Sequence, residues 1–166
     1  MFDLRSVFAA LRGRPVSART AAAASAYDAG LTALNAGRPD EALRAFETAV
    51  RDAASPAACA AADNKRGVAL VELGRPGEAL QAFTDALAGD ERSAPALVNL
   101  GNLLLEDGSV LDAVDYYRAA VSCDGTYALA YRNLGIAFKR LGRRAEAVNA
   151  LRTAARLEAR RRPWRA

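Results

Sequence analysis

An all-α array of stacked helix pairs is the fold class this sequence predicts, and three observations predict it. The first is self-similarity. Residues 94–127 laid on residues 128–161 at an offset of 34 place Leu100-Gly101 on Leu134-Gly135, Gly108 on Gly142, Ala113 on Ala147 and Ala120 on Ala154. A fixed period of this length is the signature of a repeat array. The second is punctuation: Gly37 precedes Pro39, and Gly74 precedes Pro76. Glycine just past a helix end and proline in the first turn of the next is the asymmetry of helix termini. The third is a set of small residues in register. Gly30, Gly67, Gly101 and Gly135 hold position 8 of the period; Ala42, Ala79, Ala113 and Ala147 hold position 20; Ala49, Ala86, Ala120 and Ala154 hold position 27. Small side chains there let two helices approach closely, while larger ones at other positions fill the space between them.

The elements follow in order. Residues 2–12 carry Leu4, Val7, Phe8 and Leu11 at helical spacing, with Asp3 to serve the start and Gly13 with Pro15 to end the segment. A short amphipathic helix is expected, packing on the first pair or on another molecule. Because Arg5, Arg12 and Arg14 flank the apolar stripe, a membrane surface is an alternative. Residues 14–22 read as a linker, so 1–22 form an N-terminal helix and linker ahead of a domain at 23–161. The first pair spans 23–56. Three additional residues, Ala57, Ala58 and Cys59, displace the second pair to 60–93. The third pair spans 94–127, and its turn sets Ser109 three residues before Asp112, an expected N-cap in a capping-box variant. The fourth spans 128–161, with a second helix expected to run long and basic through Arg152, Arg156, Arg160 and Arg161. Pro163 stops it, leaving 162–166 as a basic tail.

These residues resemble the tetratricopeptide repeat (TPR) family. The resemblance implies a superhelical solenoid of four helix-turn-helix repeats, with a short N-terminal helix and a long basic C-terminal helix. Gly125 stands where the family usually has proline, which implies a looser corner before the fourth repeat.

Composition narrows the function. The chain of 166 residues is 52% hydrophobic and 25% charged, ordinary for a soluble globular protein. No apolar run is long enough to span a bilayer and no secretory signal is apparent, so a cytoplasmic location is expected. Cys59 and Cys123 have no metal-type spacing and are expected to be unpaired packing residues. The absence of histidine removes the commonest general base and most zinc sites. No Gly-rich phosphate loop and no nucleophile elbow occurs, so neither catalysis nor a cofactor is expected. Glu41, Glu78 and Glu146 recur at position 19, which is more economically a helix-start contribution than a catalytic one. Charge is unevenly spread: residues 1–22 carry +3, residues 23–138 carry −7 and residues 139–166 carry +8.

In the family, the first helix of each repeat lines a concave groove, so the resemblance implies a protein or peptide partner held there. The residues it places in the groove include Asn64, Lys65, Asn99, Asn102, Arg132, Asn133 and Lys139. An asparagine amide offers donor and acceptor together and can pair with a peptide backbone whatever its side chains. Asn102 and Asn133 match the two asparagines of the family's carboxylate clamp, but Val98 stands where the clamp needs lysine, so a full clamp is not expected. Arg132, Lys139 and Arg140 are expected to draw an acidic ligand to the C-terminal end of the groove. Two alternatives remain: self-assembly through the acidic middle and basic ends, and accessory nucleic-acid binding through Arg160, Arg161, Arg162, Trp164 and Arg165.

Overall fold

A computed structural model describes residues 16–161. Among the described residues there are eight helices: α1 (Val16–Asn35), α2 (Pro39–Asp52), α3 (Pro56–Glu72), α4 (Pro76–Gly89), α5 (Ala94–Asp107), α6 (Val110–Cys123), α7 (Ala128–Arg140) and α8 (Arg144–Arg161). Consecutive helices pack as four hairpins, and each hairpin packs on the next. The inner helices α1, α3, α5 and α7 also touch one another in sequence, which makes them one wall of the array. This is an all-α TPR-like solenoid. The amphipathic stripe at 2–12 and the tail at 162–166 lie outside the described residues.

Three local readings are refined. Residues 16–22 are not a linker but the first two turns of α1. The segment is rich in alanine, the best helix former, and Pro15 precedes the helix without needing an N–H inside it. The three additional residues at 57–59 lengthen α3 rather than a loop. Ser55 caps that helix by accepting from the Ala58 N–H at 3.2 Å, and Pro56 occupies its first turn. Ser109, in contrast, makes no side-chain cap bond to α6; its hydroxyl donates to Asp107 Oδ2 at 3.3 Å instead.

Each hairpin turns on a glycine in the left-handed region, Gly37, Gly74, Gly108 and Gly142, with φ of 66°, 69°, 90° and 73°. The next residue's N–H then reaches back to close the helix, as Arg75 N–H does on the Leu70 carbonyl at 2.9 Å. At the starts of the second helices, Arg38 pairs with Glu41 at 2.8 Å, Arg75 with Glu78 at 2.6 Å, and Arg143 with Glu146. The recurring glutamates are thus partners of the turn arginines. These pairs are exposed and add little stability.

Inside a hairpin, the glycine at position 8 lies under a large side chain from position 24. A Cβ on Gly101 would sit 2.6 Å from Tyr117 Cε1, and one on Gly67 would sit 2.4 Å from Phe83 Cε1. Only a hydrogen fits there.

The buried side chains form two cores. One gathers Ala33, Leu43, Phe46, Leu70 and Phe83 from the first two hairpins and closes on Leu100. The other gathers Val98, Val114, Tyr117, Leu134 and Phe138 from the last two. Between them, α4 and α5 make the least extensive contact of any consecutive helices. The tenth residue of the repeat explains why. It is Ala69 in the second and Ala137 in the fourth, both fully buried, but Leu103 in the third, where the longer side chain wedges between the hairpins. In consequence Leu80 is 48% exposed, whereas its equivalents Leu43 and Val114 are 7% and 2% exposed.

Candidate functional site

The wall formed by α1, α3, α5 and α7 carries the groove positions, and the structure ties them together by side-chain hydrogen bonds. Asn99 Nδ2 donates to Asn64 Oδ1 at 2.8 Å, which bridges α3 and α5. Asn133 Nδ2 donates to Asn102 Oδ1 at 2.7 Å, which bridges α5 and α7. The Tyr117 hydroxyl, from beneath, donates to the same Asn102 oxygen at 2.8 Å. Each bridge joins two repeats, so four asparagines from three hairpins form two linked pairs. Asn64 is only 8% exposed and serves as the anchor of its pair, whereas Asn99, Asn102 and Asn133 are half-buried. Asn99 Oδ1, Asn102 Nδ2 and Asn133 Oδ1 retain hydrogen-bonding capacity with no partner among the described residues. Bonded on one edge, these amides keep the other edge available in a fixed orientation.

Tyr117 is buried, and burial pushes its phenol up to about 12, with Arg140 opposing and Glu106 adding to the shift. It therefore stays a donor throughout the neutral range.

The cations behave less uniformly than the sequence implies. Arg132 is engaged by Glu158 of α8. Arg140 donates to the Leu105 carbonyl at 2.7 Å, where it fastens α7 to the end of α5. Lys139 is exposed and Lys65 half-buried, and neither forms an ion pair among the described residues. A depression of about 220 Å³ opens in the middle of the wall, lined by Val68, Val71, Glu72, Asn99, Asn102 and Glu106 among others. Its floor is apolar and amide, and its two charged groups are both carboxylates. The depression is therefore acidic, and Lys65 and Lys139, which have no ion-pair partner among the described residues, do not line it.

One polar group was legible as an anomaly without its role being evident. Asp63 stands at position 4, where the other repeats have Ala26, Leu97 and Tyr131, and it is 4% exposed. Its Oδ2 accepts a weak bond from Cys59 Sγ at 3.4 Å, while Oδ1 has no hydrogen bond although Arg66 Nη2 is 3.2 Å away. Arg66 is turned toward Asp85, at 2.9 Å. Burial pushes the Asp63 carboxyl up, with Arg66 opposing, and burial followed by Asp63 pushes the Cys59 thiol up. A thiol held protonated is a poor nucleophile. Both cysteines are free.

Tetratricopeptide repeat models match residues 27–94 and 64–128, and a further one matches residues 128–160. The chain belongs to the tetratricopeptide repeat family. Arrays of this family are generally interaction scaffolds rather than enzymes. No curated protein matches the sequence. Among solved structures, MamA shares 24% identity, with a TM-score of 0.69 over 83% of this chain and 79% of its own. YrrB, described as a TPR protein with an unusual peptide-binding site, shares 25% identity, with a TM-score of 0.63 over 84% of this chain and 71% of its own. The second TPR of Spaghetti (RPAP3), solved with an HSP90 peptide, shares 26% identity, with a TM-score of 0.56 over 59% of this chain and 91% of its own. The TPR array here is a protein–protein interaction module. No helix among the described residues is long and apolar enough to cross a membrane.

Proposed function

We propose that this TPR array is a non-enzymatic adaptor that holds an extended segment of a partner protein against its inner wall, across α3, α5 and α7. The observation that carries the reading is the pair of asparagine bridges. Asn99, Asn102 and Asn133 are oriented by Asn64, Tyr117 and one another, and each keeps amide capacity that the fold does not use. A side chain already immobilised loses little entropy when a ligand binds. Amides contact a peptide backbone without regard to its sequence, so selectivity would come from the neighbours. Glu72 and Glu106 favour a basic side chain over the central depression, with Val68 and Val71 beneath it. Lys139 favours an acid further along. YrrB and the RPAP3 repeat, each described with a peptide site or a peptide, lend support by likeness.

The test is selection of peptides from a displayed random library by the purified chain, followed by nuclear magnetic resonance titration of one selected peptide. The side-chain amide signals of Asn99, Asn102 and Asn133 should shift, and Val71→Glu should weaken binding about tenfold or more through loss of the apolar floor. Shifts confined to α2, α4, α6 and α8 would refute the reading.

A further inference from the structure

The wedge at Leu103 leaves a second recess, which shares Leu103 and Glu106 with the depression on the inner wall but opens elsewhere. It lies at the turn end of the array, between the start of α4 and the end of α5, and has a volume of about 470 Å³. Pro76, Gly77, Leu80, Leu103 and Leu104 line it with apolar surface, and Glu106 with Asp107 stand at its rim. Both carboxylates are exposed, and neither is paired with a cation among the described residues. The equivalent leucine and valine in the first and third hairpins are covered by the next hairpin, so an occupant would complete a contact that the fold makes elsewhere.

We propose that the occupant is residues 2–12 of a second copy of this chain. Two properties of that segment match the recess. Leu4, Val7, Phe8 and Leu11 recur at the spacing of one helix face, which suits a cleft between helices, and Arg5, Arg12 and Arg14 flank that face as the carboxylates flank the cleft. The tail at 162–166 matches the charge but has no such apolar stripe.

The chain's own segment cannot reach. The inner helices run parallel, because each hairpin reverses the chain twice, so the recess at the end of α5 lies level with the end of α1. Val16 is at the opposite end of that 20-residue helix, about 30 Å away along the axis at ~1.5 Å per residue. The chain from Val16 back to Leu11 spans at most about 17 Å when fully extended. Docking therefore joins the front of one molecule to the middle of another, a heterologous contact that leaves one segment and one recess unfilled at the ends of every assembly. The buried area is small, so the expected affinity is weak, with a Kd on the order of 10 μM.

Two full-length variants test this by complementation in sedimentation equilibrium. Leu4→Ser/Phe8→Ser disables the segment and leaves the recess, and Leu80→Glu disables the recess and leaves the segment. Circular dichroism checks the fold of each. Asp107→Lys, at an exposed site, serves as a second recess variant. The wild-type mass should rise with concentration past that of a dimer. Each variant alone should stay monomeric, with association weakened about tenfold or more. An equal mixture of the two should reach the dimer and stop, because one filled recess exhausts the complementary parts. Reversing both sides in one chain, with Arg5→Glu and Asp107→Lys, should restore assembly. A wild type that stays monomeric throughout, a single variant that still assembles, or a mixture that fails to pair would each overturn the proposal. Because Leu80 and Asp107 do not line the inner-wall depression, peptide binding there can be scored separately on the same proteins.

Discussion

Alanine at the same repeat position should have opposite consequences in two hairpins. In α3, a Cβ on Gly67 would lie 2.4, 2.6 and 2.8 Å from three atoms of the Phe83 ring, and that ring is 1% exposed between α3 and α4. The ring has nowhere to go. Overpacking of this kind costs about 1–3 kcal/mol, and the upper part of the range applies where the clashing group is rigid and enclosed. Replacing a helical glycine returns about 1 kcal/mol. The net loss for Gly67→Ala is then about 2 kcal/mol. In α7, a Cβ on Gly135 would lie 2.7 Å from Leu151 Cγ, but Leu151 is 40% exposed, with no further hairpin packed over it among the described residues. Its side chain can rotate outward at a cost of about 1 kcal/mol, which the helix propensity offsets. Gly135→Ala should stay within about 0.5 kcal/mol of the wild type, the remaining strain being the Ala147 carbonyl at 3.2 Å. Urea unfolding followed by far-ultraviolet circular dichroism resolves the difference, and thermal midpoints should separate by roughly 4–8 °C for a chain of this size. Equal losses at the two glycines would refute the reasoning, since they would show that the ring contact does not set the cost.

Three further perturbations follow from the polar groups. Burial raises the folded pKa of Tyr117 to about 12, above the ordinary tyrosine value near 10.0, so its contribution is complete below pH ~10 and is lost as pH rises through ~12. Alkaline unfolding should remove roughly 3 kcal/mol over that window, and Tyr117→Phe should flatten that part of the pH–stability curve. Asn102→Ala removes the acceptor of two bonds, from Tyr117 and Asn133, and should cost about 1–3 kcal/mol in urea titration, more than Asn99→Ala, which removes one. Asp63 also has a raised pKa, so its ionisation disfavours the fold fully above the folded pKa, less as pH falls below it, and not at all below the unfolded value. Asp63→Asn should therefore raise the urea midpoint at neutral pH, and the gain should shrink on acidification.

What could be read from the chain was set by contacts within one hairpin. The glycines at 30, 67, 101 and 135, the alanines at 20 and 27 of each period, and the Gly–Pro punctuation all report distances between neighbours in sequence, and their register placed the four hairpins. The groove asparagines were legible as residues on one wall because they share a helix face. That they bond to each other was not, since it depends on the rotation between successive hairpins, which no single repeat encodes. Arg132 read as a free cation because its partner, Glu158, lies 26 residues away on a helix whose outer course the repeat pattern leaves open. Leu103 was visible as the one large residue at its position, yet only the spacing of α4 and α5 gives that size a consequence. Asp63 was likewise visible as a polar residue on an apolar face, and its burial belongs to its position, since Leu97 at the equivalent place in α5 is buried too.

The division into two cores also bears on how the chain is made. A repeat array is stabilised by each hairpin's interface with the next, and synthesis delivers hairpins one at a time from the N-terminus. When α4 has left the ribosome, the first core still lacks Leu100, and the apolar flank of Phe83 and Leu87 waits for α5. The third hairpin supplies that residue and then turns its other face to the second core through Val98 and Tyr117. α5 is thus the lid of one folding unit and the foundation of the next. A nascent chain stalled before Ala94 exposes an unfinished surface, whereas one stalled after Cys123 has already sealed the first half.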